Sequence, residues 1–307
     1  MVEILIGAGG WDYFNIPGDR LRNYARAFKT VEVNSTYYSI PPLALVESWR
    51  RRVPEDFEFT LRCNRELIRT LQFEHLDSAL EFFECMKKIC YVLKAKILHV
   101  LTSPALKLGK EMIEKTDAFL SSADLSNVQL AWEIRGGYRN ERQNLLGVLK
   151  NHKVIHCVDL SRENPAYESG IIYSRLFGKG AHNIYQFTNF ELEDIDEKIK
   201  GNKAEKLYLN FHGAKMYKDA ARMSIYKATG KFPKVTNSLG VSSVLEVLKE
   251  DAQFPLTTSA LIKFQGWKVC EWEEGKQLHV SEILSRIEEK RFDNLSELEE
   301  EFRKLKL

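Results

Sequence analysis

Short runs of β-branched and apolar residues recur along most of the chain, and each is followed by a segment with helical spacing of apolar positions. Eight of these runs have the length of strands. They are Glu3–Gly7, Thr30–Asn34, Phe57–Arg62, Lys96–Leu101, Val128–Ile134, Val154–Asp159, Ile171–Phe177 and Lys206–Phe211. Because parallel strands need crossover connections, usually helices, this alternation predicts a parallel sheet.

The segments between the strands carry the period of amphipathic helices. Leu21, Tyr24, Ala25 and Phe28 fall at i, i+3, i+4 and i+7, and Asp19 precedes them as the expected N-cap. Two further stripes continue the pattern: Leu76, Leu80 and Phe83, then Leu192, Ile195 and Ile199.

Eight strand–helix units over this length predict an α/β fold, a (β/α)₈ TIM-type barrel. An open doubly wound sheet is the alternative, and it more often carries a glycine-rich phosphate loop after its first strand. Gly7-Ala8-Gly9-Gly10-Trp11 does not have the G-x-G-x-x-G spacing, because Asp12 stands at the last glycine position. We interpret the segment as a tight turn, with phosphate binding as the other interpretation.

The C-terminal part has a different pattern, which predicts a small α+β appendage. Segments 231–234 and 237–240 resemble a linker. A helix stripe follows at Val241, Val244, Leu245 and Leu248. Beyond it, Lys268–Trp272 and Gln277–Val280 predict a hairpin. We therefore expect a barrel domain over residues 1–235 and a small α+β domain over 241–307.

The last helix of the chain is predicted from a capping box. Ser296 stands three residues before Glu299, the spacing with which two side chains cap a helix start. Leu298, Phe302 and Leu305 then share one helix face.

Composition and charge narrow the class of protein. The 307 residues are 44% hydrophobic and 29% charged, an ordinary globular balance that excludes a wholly disordered chain. No apolar run has the length of a membrane helix, and the first residues resemble a strand and not a signal peptide. Five cysteines without C-x-x-C spacing favour free thiols, and we expect a cytoplasmic protein with no membrane association.

The charge is uneven along the chain. From Val235 onward there are 10 basic and 14 acidic residues, which leaves a net charge of +6 on the preceding part. A basic body is compatible with a polyanionic partner, although mixed charge of this kind is also typical of a solvated surface.

Polar side chains gather where the predicted strands end, which is where a barrel of this class holds its active site. Residues two apart in a strand share a face, so several of these side chains converge. The sets are Glu32 with Asn34, Glu58 with Thr60 and Arg62, Glu133 with Arg135, Asp159, Tyr173 with Arg175, and Tyr208 with Asn210 and His212. A structural alternative stays open for each charge, namely an ion-pair network inside the barrel.

Several of these segments resemble the DUF72 family, also called the YecE-like proteins, a family of uncharacterised function. The most specific stretch is Val31-Glu32-Val33-Asn34-Ser35-Thr36-Tyr37-Tyr38, followed by Pro41. The supporting stretches are Ile6–Trp11, Trp49, Pro54, Phe57–Arg62, Trp132–Arg135, Tyr173–Gly178 and Lys206–Phe211. The resemblance covers about residues 3–230 and implies a TIM-type barrel.

The resemblance also implies which residues line the pocket. They are Trp11, Glu32, Asn34, Arg62, Glu133, Arg135 and Arg175. This chain departs from the family pattern at Arg62, where lysine is usual, at Leu101-Thr102-Ser103-Pro104 after the fourth strand, around Phe177 and at the end of the eighth strand. Those departures put a shared catalytic role of strands four, seven and eight in doubt.

Three functions fit these residues. The first is a nucleic-acid-binding protein acting as a metal-assisted phosphodiester hydrolase, with Arg62, Arg135 and Arg175 on phosphates. Trp11, Tyr37 and Tyr38 would stack on bases. A basic segment follows the eighth strand at Lys215, Lys218, Arg222, Lys227, Lys231 and Lys234. A divalent metal would be held by Glu32, Glu133, Asp159 and His212.

The second function is an enzyme acting on a small sugar phosphate or polyol. Glu32 or Glu133 would be the general base, and Arg62 and Arg175 would bind the anion. The third is a non-catalytic binding module.

Across these alternatives we assign Glu32, Glu133 and His212 as candidate catalytic residues. The candidate substrate-binding residues are Trp11, Asn34, Tyr37, Arg62, Arg135, Arg175 and Asn210. The metal, the partner and the oligomeric state stay open.

Overall fold

The structure is a computed structural model, and it describes residues 2–73, 75–104 and 108–304. Eight parallel strands form one sheet. They are β1 (Glu3–Ala8), β2 (Thr30–Val33), β3 (Glu58–Arg62), β4 (Ile97–Thr102), β5 (Gln129–Ile134), β6 (Ile155–Cys157), β7 (Ile171–Leu176) and β8 (Lys206–Phe211). All eight were predicted, with bounds that agree to within one or two residues.

The sheet curves into a barrel. Its strand order is β6-β5-β4-β3-β2-β1-β8-β7. A parallel bridge joins Val158 to Ser174 and brings β6 beside β7, where the Arg175 backbone N–H donates to Val158 O at 3.1 Å. The predicted TIM-type (β/α)₈ barrel is confirmed, and the open doubly wound sheet is wrong.

Eight helices follow the strands in sequence. They are α1 (Arg20–Ala27), α2 (Leu43–Arg51), α3 (Glu66–Phe73), α4 (Leu76–Leu93), α5 (Lys110–Ser122), α6 (Arg139–Asn151), α7 (Asn189–Lys200) and α8 (Met216–Thr229). Asp19 caps α1 as predicted, since its carboxylate accepts a hydrogen bond from Arg22 N at 3.1 Å. The apolar stripe that predicted α7 is buried at Leu192, Ile195 and Ile199.

Internal contacts divide the chain into two compact units. The first holds the residues up to Leu176 together with Gly201–His212, and the second holds Phe177–Lys200 together with the residues from Gly213 onward. Helices α7 and α8 therefore group with the C-terminal elements, although both precede residue 235. The predicted domains 1–235 and 241–307 stay a prediction about folding units.

The second unit contains the predicted α+β elements. They are α9 (Gly240–Leu248), β9 (Leu256–Thr257), α10 (Thr258–Gln265), β10 (Val269–Glu273), β11 (Lys276–His279), α11 (Val280–Leu284), β12 (Arg291–Phe292) and α12 (Leu295–Lys304). Strands β10 and β11 pair antiparallel, as the predicted hairpin requires. An apolar core including Val244, Leu261 and Ile283 holds the elements together.

The start of α12 differs from the prediction. The helix begins one residue before Ser296, and Asn294 caps it by accepting from Glu297 N at 3.0 Å. Asparagine and serine are equally good N-caps, and Asn294 has Glu297 three residues further on, whose carboxylate accepts from Asp293 N at 2.9 Å. Leu298 and Phe302 are buried as predicted, and Leu305 lies outside the described residues.

In the described part of the chain, no helix is both long enough and apolar enough to cross a membrane. All five cysteines are free thiols, as expected, and four of them are buried.

A tyrosine hydroxyl joins the first two strands and generates the first prediction. Tyr24 of α1 is fully buried, accepts from Ala8 N at 2.7 Å and donates to Thr30 O at 2.9 Å. Tyr24→Phe leaves both backbone groups without their partner in the core. We expect the free energy of unfolding to fall by about 1–3 kcal/mol in urea titrations. Tyr91→Phe, at a side chain that is 85% exposed, is the matched control and leaves it unchanged.

Candidate functional site

The barrel interior changes from apolar to polar along the strand direction. An apolar cluster fills part of it, with Leu5, Ile97, Ala131 and Ile155 among its members. Nearer the carboxyl ends, the inward positions of β2, β4, β5 and β7 are charged or polar. Alternation along each strand produces this grouping, because it turns every second side chain inward.

Arg175 lies at the centre of the polar part and is 2% exposed. Its Nε and Nη2 donate to the Glu32 carboxylate, at 3.0 Å to Oε2 and 3.0 Å to Oε1. Its Nη1 donates to Glu133 Oε2 at 2.6 Å. One guanidinium on β7 therefore binds carboxylates from β2 and β5, and the bidentate contact to Glu32 sets its orientation.

Two hydroxyls and two imidazoles complete this network. Tyr173 OH donates to Glu32 Oε2 at 2.7 Å and lies 2.8 Å from Thr60 Oγ1. His99 Nε2 is 3.1 Å from Glu133 Oε2. His212 Nε2 is 3.4 Å from Glu32 Oε1. Each carboxylate therefore has a histidine beside it as well as the shared arginine.

The network determines the charge states at neutral pH. Burial opposes ionisation of Glu32 and Glu133, but the positive charge of Arg175 and the other neighbouring cationic groups outweigh it. The pKa of both carboxyl groups is held well below the usual 4.5. Burial and the repulsion of Arg175 lower the pKa of His99 to about 4 and that of His212 to about 3. Both carboxylates are therefore ionised and both imidazoles neutral.

Arg62, at the end of β3, stands apart from this network. Its Nη1 donates to Asn34 Oδ1 at 3.1 Å, and Asn34 Nδ2 donates to Gly9 O at 3.1 Å. Its guanidinium carbon lies 3.7 Å from the centre of the Tyr37 ring. The side chain is thus held by one amide and one aromatic face, neither of which carries a negative charge.

A glycine gives His212 its position. A Cβ on Gly9 would come within 2.2 Å of the His212 ring, so only glycine leaves room for the imidazole. The next residue, Gly10, has φ +110°, which a side chain would strain, and its N–H donates to Ala8 O at 2.9 Å. The glycine-rich segment after β1 therefore makes a tight turn that admits the histidine.

The structure brings most of the predicted site residues together. Glu32, Glu133 and Arg175 form the buried centre, and His212 contacts Glu32. Arg135 follows β5 and its Nε contacts the Glu133 carboxylate. Asn34, Tyr37 and Arg62 form a second group.

The remaining predicted residues, Trp11 and Asn210, have different surroundings. Trp11 packs edge-on against Trp49 and Phe59, with ring centres 5.4 and 6.5 Å apart. Asn210 is fully buried, and neither atom of its amide has a hydrogen-bond partner in the part of the chain that the structure describes. A buried amide without partners is costly, so Asn210 is a candidate contact for a ligand or water.

Sequence reasoning missed two members of the centre, His99 and Cys157. Both lie on inward positions of their strands, so the period of two was the available signal. Donor atoms of His99, Glu133 and Cys157 all lie within 4.8 Å of one another. Among the residues described, this is the one group of three such side chains with metal-ligating geometry, and it differs from the predicted metal ligands.

A large cavity lies at the opposite end of the barrel. It has a volume of about 1220 Å³ and is lined by residues that precede the strands, including Lys96, Val128, Gly170 and Glu205. Two titratable residues of its lining, Lys206 and Tyr208, both contact Glu58. The cluster of two carboxylates, two imidazoles and Arg175 lies at the carboxyl ends, where we place the candidate site.

Comparisons with known proteins agree with this fold. A sequence profile of the family described as "Protein of unknown function DUF72" matches residues 5–230. A DUF72 family protein of Enterococcus faecalis V583 is 18% identical, with 75% of this chain and 99% of that chain covered and a TM-score of 0.56. A DUF72 family protein of Thermotoga maritima MSB8 is also 18% identical, with 75% and 100% covered and a TM-score of 0.60. No functionally curated protein matches the chain.

The neutral histidines predict how stability depends on pH. Unfolded histidines take up protons below their usual pKa of 6.5, whereas folded His99 and His212 do so only near 4 and 3. Stability is therefore full above pH 6.5 and falls as the pH drops from 6.5 to 5. Each such histidine adds a slope of about 1.4 kcal/mol per pH unit.

We expect His212→Gln to reduce that slope by about 1.4 kcal/mol per pH unit in urea titrations between pH 6.5 and 5. His75→Gln, at an exposed histidine, is the control and keeps the wild-type slope. Equal slopes for the two variants would show that folding does not lower the pKa of His212.

Proposed function

This chain belongs to the DUF72 family, and we propose that it binds a small organic anion, such as a sugar phosphate or phosphorylated polyol, at the carboxyl end of its barrel. The observation that carries the proposal is the buried cation Arg62. Its side chain is only 9% exposed, yet it forms no ion pair with a carboxylate in residues 2–73, 75–104 and 108–304.

The surroundings of Arg62 leave its charge uncompensated. Its Nε has no hydrogen-bond partner in the described chain. Burial and the repulsion of Arg175 lower the pKa of Arg62, and the attraction of Glu32 only partly opposes this. A buried charge without a partner is costly unless something binds it. An anionic ligand would supply that partner, and the planar guanidinium suits the paired oxygens of phosphate or carboxylate.

Two further groups suit the rest of such a ligand. Arg135 is partly exposed at the end of β5, with its Nε on Glu133, and adds a second positive charge. Asn210 offers one amide donor and one acceptor without partners in the described chain, which matches the hydroxyl groups of a sugar or polyol. Arg62 and Asn210 are both buried, which favours a small ligand over a polymer.

The charge states limit the role of the carboxylates. Because Arg175 holds the pKa of Glu32 and Glu133 low, both are weak bases at neutral pH. His212 is better suited to move a proton once a ligand is bound. A bound anion would favour the protonated imidazole and raise its pKa from about 3 toward neutrality.

Nucleic-acid binding with metal-assisted phosphodiester hydrolysis is less well supported, because the basic segment after β8 is largely paired. Five of its six basic residues have acidic partners: Lys215 and Lys218 contact Glu250, Arg222 contacts Asp219, Lys227 contacts Asp196 and Lys234 contacts Glu274. Of the three predicted stacking rings, Tyr37 lies against Arg62 and Trp11 packs edge-on against Trp49, while Tyr38 is exposed.

The test is the substitution Arg62→Gln. We expect inorganic phosphate and a panel of sugar phosphates to raise the Tm of the wild-type protein by mass action. Arg62→Gln should weaken binding about 10- to 100-fold in calorimetric titrations, the effect of losing one charge-assisted contact. Without anion, the variant should be as stable as the wild type or more stable, because it removes an unpaired buried charge.

Arg51→Gln is the control, since Arg51 is exposed on α2 and pairs with Glu47. A labelled oligonucleotide titrated at low and near-physiological salt tests the second function. Oligonucleotide binding that is tighter than any sugar phosphate and falls steeply with salt would overturn the small-anion proposal. So would phosphate binding that Arg62→Gln leaves unchanged.

A further inference from the structure

Three potential metal ligands meet inside the barrel, on the neighbouring strands β4, β5 and β6. Glu133 of β5 is paired in register with Cys157 of β6, and His99 lies on the adjacent β4. Their donor atoms lie within 4.8 Å of one another, and each residue is at most 9% exposed.

We propose that His99, Glu133 and Cys157 form a binding site for a single Zn²⁺ ion. Imidazole nitrogen, carboxylate oxygen and thiolate sulfur are the three ligand types that zinc takes in proteins. Three protein ligands leave one position of a tetrahedral ion open for water or a substrate oxygen. The three ligands do not include Arg62, although Glu133 contacts Arg135, the second cation of the proposed anion site.

The spacing of the donors fits zinc after a small adjustment. Zinc bond lengths of about 2.0–2.3 Å place tetrahedral ligand atoms roughly 3.3–3.6 Å apart. His99 Nε2 and Glu133 Oε2 are 3.1 Å apart, and the three donor atoms all lie within 4.8 Å of one another, so the separations need to change by no more than roughly 1–2 Å. His99 Nδ1 has no partner in the described chain, so turning the ring breaks no hydrogen bond there.

The neighbouring charges set the expected strength of the site. Binding releases the Cys157 thiol proton to solvent, so zinc and thiolate together add one positive charge. Arg175 and Arg135 both donate to the Glu133 carboxylate, and they repel the metal. This repulsion predicts weaker binding than at a structural zinc site made of cysteines and histidines alone.

The predicted metal ligands fit less well. Glu32 has His212 beside it, but in the described chain these two residues have no third metal-ligating side chain within reach. Asp159 accepts from Ser161 N at 2.9 Å and lies 3.5 Å from Arg162. Glu133 is the one member of the predicted set that joins the proposed site.

The experiment uses the reduced full-length protein, freed of metal by a chelator and titrated with Co²⁺. We expect one equivalent of Co²⁺ to produce an absorption band of thiolate-to-cobalt charge transfer, and Zn²⁺ to displace it. Cys157→Ser should abolish the charge-transfer band. Cys85→Ser, at the exposed cysteine, should retain it and excludes adventitious binding at the surface.

A second variant keeps the proposal testable if Cys157→Ser does not fold. His99→Gln retains the thiol and should lower the affinity for Co²⁺ and Zn²⁺ at least tenfold. Absence of the band at stoichiometric Co²⁺, a band lost in Cys85→Ser, or an affinity unchanged in His99→Gln would each overturn the site. Phosphate titration of the metal-free protein tests the anion site separately.

Discussion

The guanidinium of Arg175 is the interaction on which the barrel interior depends. A buried charge costs several kcal/mol unless its hydrogen bonds and its counter-charges are supplied. Here Glu32 binds it through both carboxylate oxygens and Glu133 through one. Carboxylates of β2 and β5 therefore meet a single cation on β7. Tyr173 adds a donor to Glu32. The polar interior can therefore exist only because these carboxylates are placed around the arginine.

That arrangement also decides what chemistry the site supports. Arg175 keeps both carboxylates ionised and the adjacent His99 and His212 neutral. The negative charges of Glu32 and Glu133 are therefore already paired with Arg175. Arg62 lies outside the network with only an amide and an aromatic ring as partners, so the uncompensated charge is positive. The proposal of a small-anion ligand rests on this uncompensated positive charge, which two buried glutamates by themselves do not suggest.

In the second unit, ion pairs neutralise much of the basic segment that follows β8. The basic residues after β8 suggest a polyanion-binding surface when they are counted along the sequence. In the structure, Glu250 contacts both Lys215 and Lys218, and buried Arg222 pairs with Asp219 at 2.9 Å. Arg222 also donates to Gln277 of the hairpin at 3.1 Å. These basic residues form ion pairs within the unit. Less of their positive charge is therefore available to a polyanion than their number along the sequence suggests.

The sequence by itself determined the barrel, its strands and the inward faces, because strand and helix periods are properties of the local backbone. For the same reason the sequence predicted that Glu32, Glu133 and Arg175 lie on inward positions. Its motifs also identified the family. Only the tertiary structure decided that one arginine binds both glutamates, that His99 and Cys157 join Glu133, and that Arg62 is left without a carboxylate partner in the described chain. Those pairings depend on register and on distances across the barrel between residues far apart in sequence, which no local period encodes.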